Sequence, residues 1–131
     1  MKKICIVASK YYKDIINMLV SGANDVLNNH KKKFKTKIIY VPGVFEIPYA
    51  ISKNLKKYDA FIALGCVIKG ETPHFDFISK SSIDAIMKLS IESKKPIGNG
   101  ILTCLNKNQA VERADKSNKN KGKEAADAAI E

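Results

Sequence analysis

Short apolar runs alternate with helical stripes along this chain. ICIVA (4–8) is short, apolar and β-branched, the pattern of a buried strand. From residue 13, Ile16, Leu19, Val20, Ala23 and Leu27 recur at helical spacing and predict a helix to about His30. KIIYV (37–41) is a second strand, stopped by Pro42-Gly43. Ile47, Ala50, Ile51 and Leu55 carry a second helix, which tolerates Pro48 only in its first turn. AFIALG (60–65) is a third strand. A third helix has Ile83, Ile86 and Met87 on one face and stops at Lys94-Lys95-Pro96. ILTCL (101–105) is a fourth strand. Residues 107–115 and 122–131 are two further helices, split by the polar stretch KSNKNKG. No segment repeats.

Strands separated by helices argue for parallel crossovers and an α/β layered sandwich. In such sheets ligands bind outside the carboxyl ends of the strands. That rule singles out SKYY (9–12), VPGVFEIP (41–48), GCVIKGETPH (65–74) and the segment after LTCLN. Aromatics, a carboxylate, a hydroxyl and a histidine are thereby gathered at one sheet edge.

Composition narrows the class. With 131 residues, 45% of them hydrophobic, residues 1–131 suit one globular domain. The apolar runs are strand-sized, so none spans a membrane. The opening MKKICIVAS lacks the long apolar region and cleavage site of a signal peptide. Cys5, Cys66 and Cys104 each sit in an apolar stretch, and three cannot all pair. Buried free thiols in a reducing cytoplasm are expected.

Charge at first suggests nucleic acid: Lys plus Arg is 23 against 13 Asp plus Glu, a net +10. The lysines are, however, spread along the whole chain. Their one dense cluster, HKKKFKTK (30–37), falls between a helix and a strand, where a solvated loop is expected, and it lacks interleaved aromatics for stacking bases. No nucleic-acid partner is expected. A single basic residue, Arg113, is arginine, which marks it as a place where a planar fork is needed.

The loops admit two readings each. In GETPH, free N–H groups and the Thr72 hydroxyl can hold an anion such as phosphate, or Thr72 simply caps a helix with Pro73 at its first position. His74 is either a proton-transfer group or a first-turn histidine. Gly43 lets the backbone approach a ligand. Glu46 either accepts hydroxyls of a polyol or interacts only with a helix dipole. Tyr11 and Tyr12 either stack on a ring or belong to core or interface. Two isolated histidines and scattered cysteines lack metal-ligand spacing, and no Gly-rich dinucleotide fingerprint occurs.

Three blocks resolve these alternatives. VPGVFEIP, ALGCVIKGETPHFDF and AVERAD followed by KNKG, in that order and spacing, resemble the 6,7-dimethyl-8-ribityllumazine synthase family over nearly the whole chain. The resemblance implies a flavodoxin-like three-layer sandwich with a four-stranded parallel sheet ordered 2-1-3-4. It implies condensation of 5-amino-6-(D-ribitylamino)uracil with 3,4-dihydroxy-2-butanone 4-phosphate, without cofactor or metal. It also implies a homo-oligomer, a pentamer or a multiple of five, with active sites between neighbours and riboflavin synthase as a candidate partner. No membrane partner is implied.

Residue by residue, the resemblance places Tyr11 on the pyrimidine ring. Val44, Phe45 and Glu46 would line the ribityl chain, with Glu46 taking its hydroxyls. Backbone groups of Cys66, Val67 and Ile68 would read the ring edges. Gly70, Glu71 (through its backbone) and Thr72 match a phosphate cradle, and His74 the proton-transfer residue. From the neighbouring subunit would come Asn99, Arg113 for the phosphate and Lys121 near the ring.

This sequence departs from the family pattern at several positions. Tyr12 stands where asparagine is common, Asn99 where many members have phenylalanine, and Asp115 and Lys119 replace glycines. Many members carry an extra N-terminal segment that pairs with the next subunit. Here the chain opens on its first strand, which counts against a capsid. A non-catalytic flavin- or lumazine-binding protein on the same fold would keep Tyr11 and Glu46 but would not use a phosphate cradle with His74.

Overall fold

The structure, a computed structural model, describes residues 1–70 and 74–131. Its elements run β1 (Lys2–Ser9), α1 (Lys13–Asn29), β2 (Phe34–Val41), a 3-10 turn (Val44–Glu46), α2 (Ile47–Lys53), β3 (Ala60–Ile68), α3 (His74–Ser93), β4 (Ile97–Cys104), α4 (Lys107–Ala114) and α5 (Lys121–Ile130). The four strands form one parallel sheet in the order β2-β1-β3-β4. This is the flavodoxin-like α/β sandwich expected. Among the described residues no helix is long and apolar enough to cross a membrane.

The central strands β1 and β3 are buried on both faces, which is why they read as near-continuous apolar runs. Ile4, Ile6, Ile62, Leu64, Cys66, Leu102 and Cys104 face α1, α4 and α5. Cys5, Val7, Phe61, Ala63 and Ile101 face the 3-10 turn, α2 and α3. Period-two alternation places each strand residue on one face or the other. All three cysteines are buried and free.

Two strands differ from the expected bounds. β2 begins at Phe34, inside the lysine cluster, so Lys35 and Lys37 are exposed strand residues and not part of a loop. Phe34 and Ile38 pack against the α1-side core, and that alternation extends the strand backwards. β4 begins at Ile97, four residues before ILTCL. Gly98 and Gly100 carry no side chain to signal a strand. They are glycines because α5 lies directly on them.

The close approach at Gly98 can be tested. A Cβ there would fall on the backbone carbonyl of Ala125, which cannot swing aside as a side chain would. Gly98→Ala is therefore expected to destabilise by about 1–3 kcal/mol, as overpacking of a tight core does. The melting temperature should fall by roughly 3–6 °C per kcal/mol. Gly70→Ala is the control, since a Cβ at Gly70 meets nothing within 4 Å among the described residues. Equal melting temperatures for the two variants would refute the close-packing account.

Candidate functional site

At the carboxyl end of the sheet, the loops after β1, β2 and β3 enclose a cleft of about 720 Å³. Tyr11, Val44, Phe45, Glu46, Cys66, Val67, Ile68 and His74 line it together. Sequence reasoning had selected all eight as site residues. The cleft is also lined by Tyr12, Gly43 and Ile78. Ile78 was not identified from sequence, although it lies one turn after His74 on α3, where i and i+4 share a helix face.

The Pro-Gly break after β2 shapes the first wall. The Gly43 amide donates to Glu46 Oε1 at 2.9 Å, and the Glu46 amide donates to the Gly43 carbonyl at 3.2 Å. This reciprocal pair closes the 3-10 turn and fixes the carboxylate at the cleft. Oε1 already accepts one bond, and Oε2 offers further acceptor capacity. Val44 is buried below, whereas Phe45 is largely exposed.

Strand register makes the second wall. The pairing of β1 with β3 ends at Ala8 opposite Leu64, while β3 runs on with β4 to Ile68 opposite Cys104. Phe61 and Lys69 donate their amides toward β4, to Pro96 and Cys104 carbonyls. Residues of the same parity share that direction, so Val67 also turns its peptide groups to β4. The peptide groups of Cys66 and Ile68 point the other way, past the end of β1. They have no strand partner there and can hydrogen-bond a flat polar ring. Val67 lines the cleft and packs against the core on the side of the 3-10 turn and α3.

Burial pushes the Cys66 thiol up to about 12, with Cys104 and Asp14 adding to the effect. Burial also raises the Tyr12 phenol, helped by Cys66 and Tyr11. Both groups therefore stay protonated at neutral pH. His74 is the first residue of α3, exposed at the cleft rim.

Three of the sequence-predicted residues lie elsewhere on the chain. Asn99 is exposed on β4, its Oδ1 accepting from the Ile101 amide at 3.0 Å. Arg113, on α4, donates from Nη1 to the Gln109 carbonyl at 3.3 Å and to Cys104 Sγ at 4.0 Å. Among the described residues it forms no ion pair with the neighbouring carboxylates Glu112 and Asp115. Glu112 faces Lys119 at 3.9 Å, and Asp115 accepts from Ser117. Lys121 opens α5 beside Glu124 at 3.5 Å. The loop leading to it is folded on the Asp115 carbonyl, which accepts from Asn118 and Asn120.

Gly70 is exposed just beyond β3. The phosphate-cradle assignments of Glu71 and Thr72 lie outside the described residues. Among the described residues no three His, Cys, Asp or Glu side chains are grouped to hold a metal.

Comparison with known proteins agrees with this geometry. A family model described as 6,7-dimethyl-8-ribityllumazine synthase matches residues 1–131. A protein of that name from Bartonella tribocorum is 44% identical over 130 residues, covering 97% of this chain and 85% of its own length. Another from Nitratidesulfovibrio vulgaris is 42% identical over 132 residues, with 98% and 85% covered. A third, from Zymomonas mobilis subsp. mobilis, is 43% identical over 132 residues, with 99% and 93% covered.

Proposed function

The chain belongs to the 6,7-dimethyl-8-ribityllumazine synthase family, and from that premise we propose how its cleft performs the condensation. The protein joins 5-amino-6-(D-ribitylamino)uracil to 3,4-dihydroxy-2-butanone 4-phosphate. It forms 6,7-dimethyl-8-ribityllumazine in riboflavin biosynthesis and releases phosphate and water. The observation that carries the assignment is the meeting of three sequence-distant loops in one cleft: an exposed ring from Tyr11, the tied carboxylate of Glu46, and the β3 edge at Cys66 and Ile68 that runs beyond its pairing with β1.

Each part has a task. Tyr11 stacks on the pyrimidine, and the Cys66 and Ile68 peptide groups read its edge. Glu46, with Val44 and Phe45 beside it, receives the ribityl hydroxyls. Gly70, Glu71 and Thr72 hold the phosphate end. The 5-amino group attacks the ketone and loses water as an imine. Phosphate is eliminated to leave an enol that tautomerises to a carbonyl, and the ribitylamino nitrogen closes the ring on that carbonyl with loss of a second water. His74 moves protons in these steps. Both reactants are intrinsically reactive, so holding amine and ketone in register supplies much of the acceleration. The proposed reaction calls on no cofactor or metal.

The active form is a homo-oligomer, a pentamer or a multiple of five, in which Asn99, Arg113 and Lys121 complete a neighbour's cleft. Two observations support this. None of the three lines the cleft of its own chain. On α3, Phe77 is 67% exposed, and Met87 and Ile91, one turn apart, are 59% and 67% exposed, large apolar side chains that a neighbouring subunit would cover. The three buried thiols suit a reducing compartment such as the cytoplasm.

One experiment tests both levels. The protein is resolved by size with light scattering, and each fraction is mixed with the two substrates while lumazine absorbance is followed. Activity is expected in a fraction of five subunits or a multiple. Substrate binding without absorbance growth would favour the non-catalytic alternative. A fully active monomer would overturn the shared-site assignment.

A further inference from the structure

Tyr12 turns the chain from β1 into α1 in the left-handed region, at φ 59 and ψ 63. A bulky residue seldom adopts this conformation, because its Cβ crowds the adjacent carbonyl; glycine and asparagine hold it more easily. Such strain persists where the surroundings over-determine it, and it clusters at functional sites.

The surroundings of Tyr12 are specific. Its ring packs on the core between the sheet and α1. It also meets the Tyr11 ring edge-to-face, with centroids 5.0 Å apart and planes at 82°. Both rings line the candidate cleft. Consecutive residues point to opposite faces in a strand and lie about 100° apart around a helix, so neither geometry pairs their rings in one cleft. The left-handed turn does. Tyr11 itself is 67% exposed, and a ring that exposed needs a neighbour to hold its attitude.

We propose that Tyr12 is a positioning residue for pyrimidine binding: anchored in the core, its ring braces Tyr11 in the orientation that stacks on the substrate. The inference rests on the proposed function and on Tyr11 as the stacking group. It assigns Tyr12 a role through Tyr11 and not through direct contact with substrate.

The test uses steady-state kinetics and calorimetric binding of 5-amino-6-(D-ribitylamino)uracil to the full chain. Tyr12→Asn suits the left-handed backbone but removes the ring. It is expected to raise KM and Kd for this substrate about 2- to 10-fold, the range of one aromatic pair, with KM for the butanone phosphate nearly constant. Tyr12→Phe, which keeps the ring, is expected to recover most of the loss. In a Tyr11→Leu background, Tyr12→Asn should add almost nothing, because the ring it braces is gone. An undiminished Tyr12→Asn effect in that background would refute bracing, as would unchanged binding in the single variant. Failure of the unsubstituted protein both to bind the pyrimidine and to form lumazine would overturn the functional reading, and the inference with it. A normal unsubstituted protein with an indifferent Tyr12→Asn variant would overturn the inference alone.

Discussion

Replacing His74 by alanine is expected to lower turnover about 100-fold while leaving binding of the ribitylamino substrate nearly intact. The figure is the lower end of what one positioned acid–base group contributes. The lower end applies because orientation of two reactive partners survives the change. The other ionisable groups of the cleft are poorly suited to the task. The Cys66 thiol is held at about 12 and the Tyr12 phenol is raised, so neither exchanges protons readily at neutral pH. Glu46 is committed through Oε1 to the Gly43 amide at 2.9 Å. Imidazole is the side chain that ordinarily both takes and gives a proton near neutrality. His74 stands at the rim on the first turn of α3, within the same cleft. Rates measured across pH should lose their imidazole-dependent limb in His74→Ala. Turnover unchanged at every pH would reduce His74 to a first-turn helix residue.

Arg113→Ala should raise KM for the butanone phosphate by about 10- to 150-fold, the equivalent of losing roughly 1.5–3 kcal/mol of charge-assisted hydrogen bonding. KM for the ribitylamino substrate should move much less, because that molecule carries no phosphate. The geometry favours a phosphate role over a surface ion pair. Nη1 is turned inward, to the Gln109 carbonyl and Cys104 Sγ. That leaves the Nε–Nη2 edge, two parallel donors matched to two phosphate oxygens. A lysine offers one compact charge without the fork, so Arg113→Lys should recover only part of the loss. Steady-state kinetics with each substrate varied in turn decides the matter. Equal effects on both substrates, or none on either, would exclude Arg113 as the phosphate ligand.

Much of this protein was legible in one dimension. Strand and helix alternate in the sequence because the central strands β1 and β3 are buried on both faces and read as continuous apolar runs, while the first two helices carry apolar stripes at 3.6-residue spacing. From that alternation followed the parallel sheet and the edge at which its loops gather chemistry. The segments SKYY, VPGVFEIP and GCVIKGETPH named eight residues that the fold brings into one cleft, because each is a single loop leaving a strand end. Local pattern is strong where local geometry decides.

Other features depended on contacts between distant segments. β4 was shortened in the sequence reading because Gly98 and Gly100 look like breaks, whereas they are where α5 presses on the sheet. β2 was shortened because lysines on its exposed positions resemble a loop. No sequence pattern reveals that β3 runs four residues beyond its pairing with β1, yet that register is what carries Cys66 and Ile68 past the end of β1 and into the cleft. Nor does composition show that Tyr12 takes a left-handed turn, or that Arg113 lies off the cleft of its own chain. The amino-acid order by itself determined which residue types stand at each strand end, because period and turn chemistry are encoded within a few neighbours. Only the tertiary structure decided which of their atoms face the cleft, because register, close packing and backbone hand arise from segments dozens of residues apart.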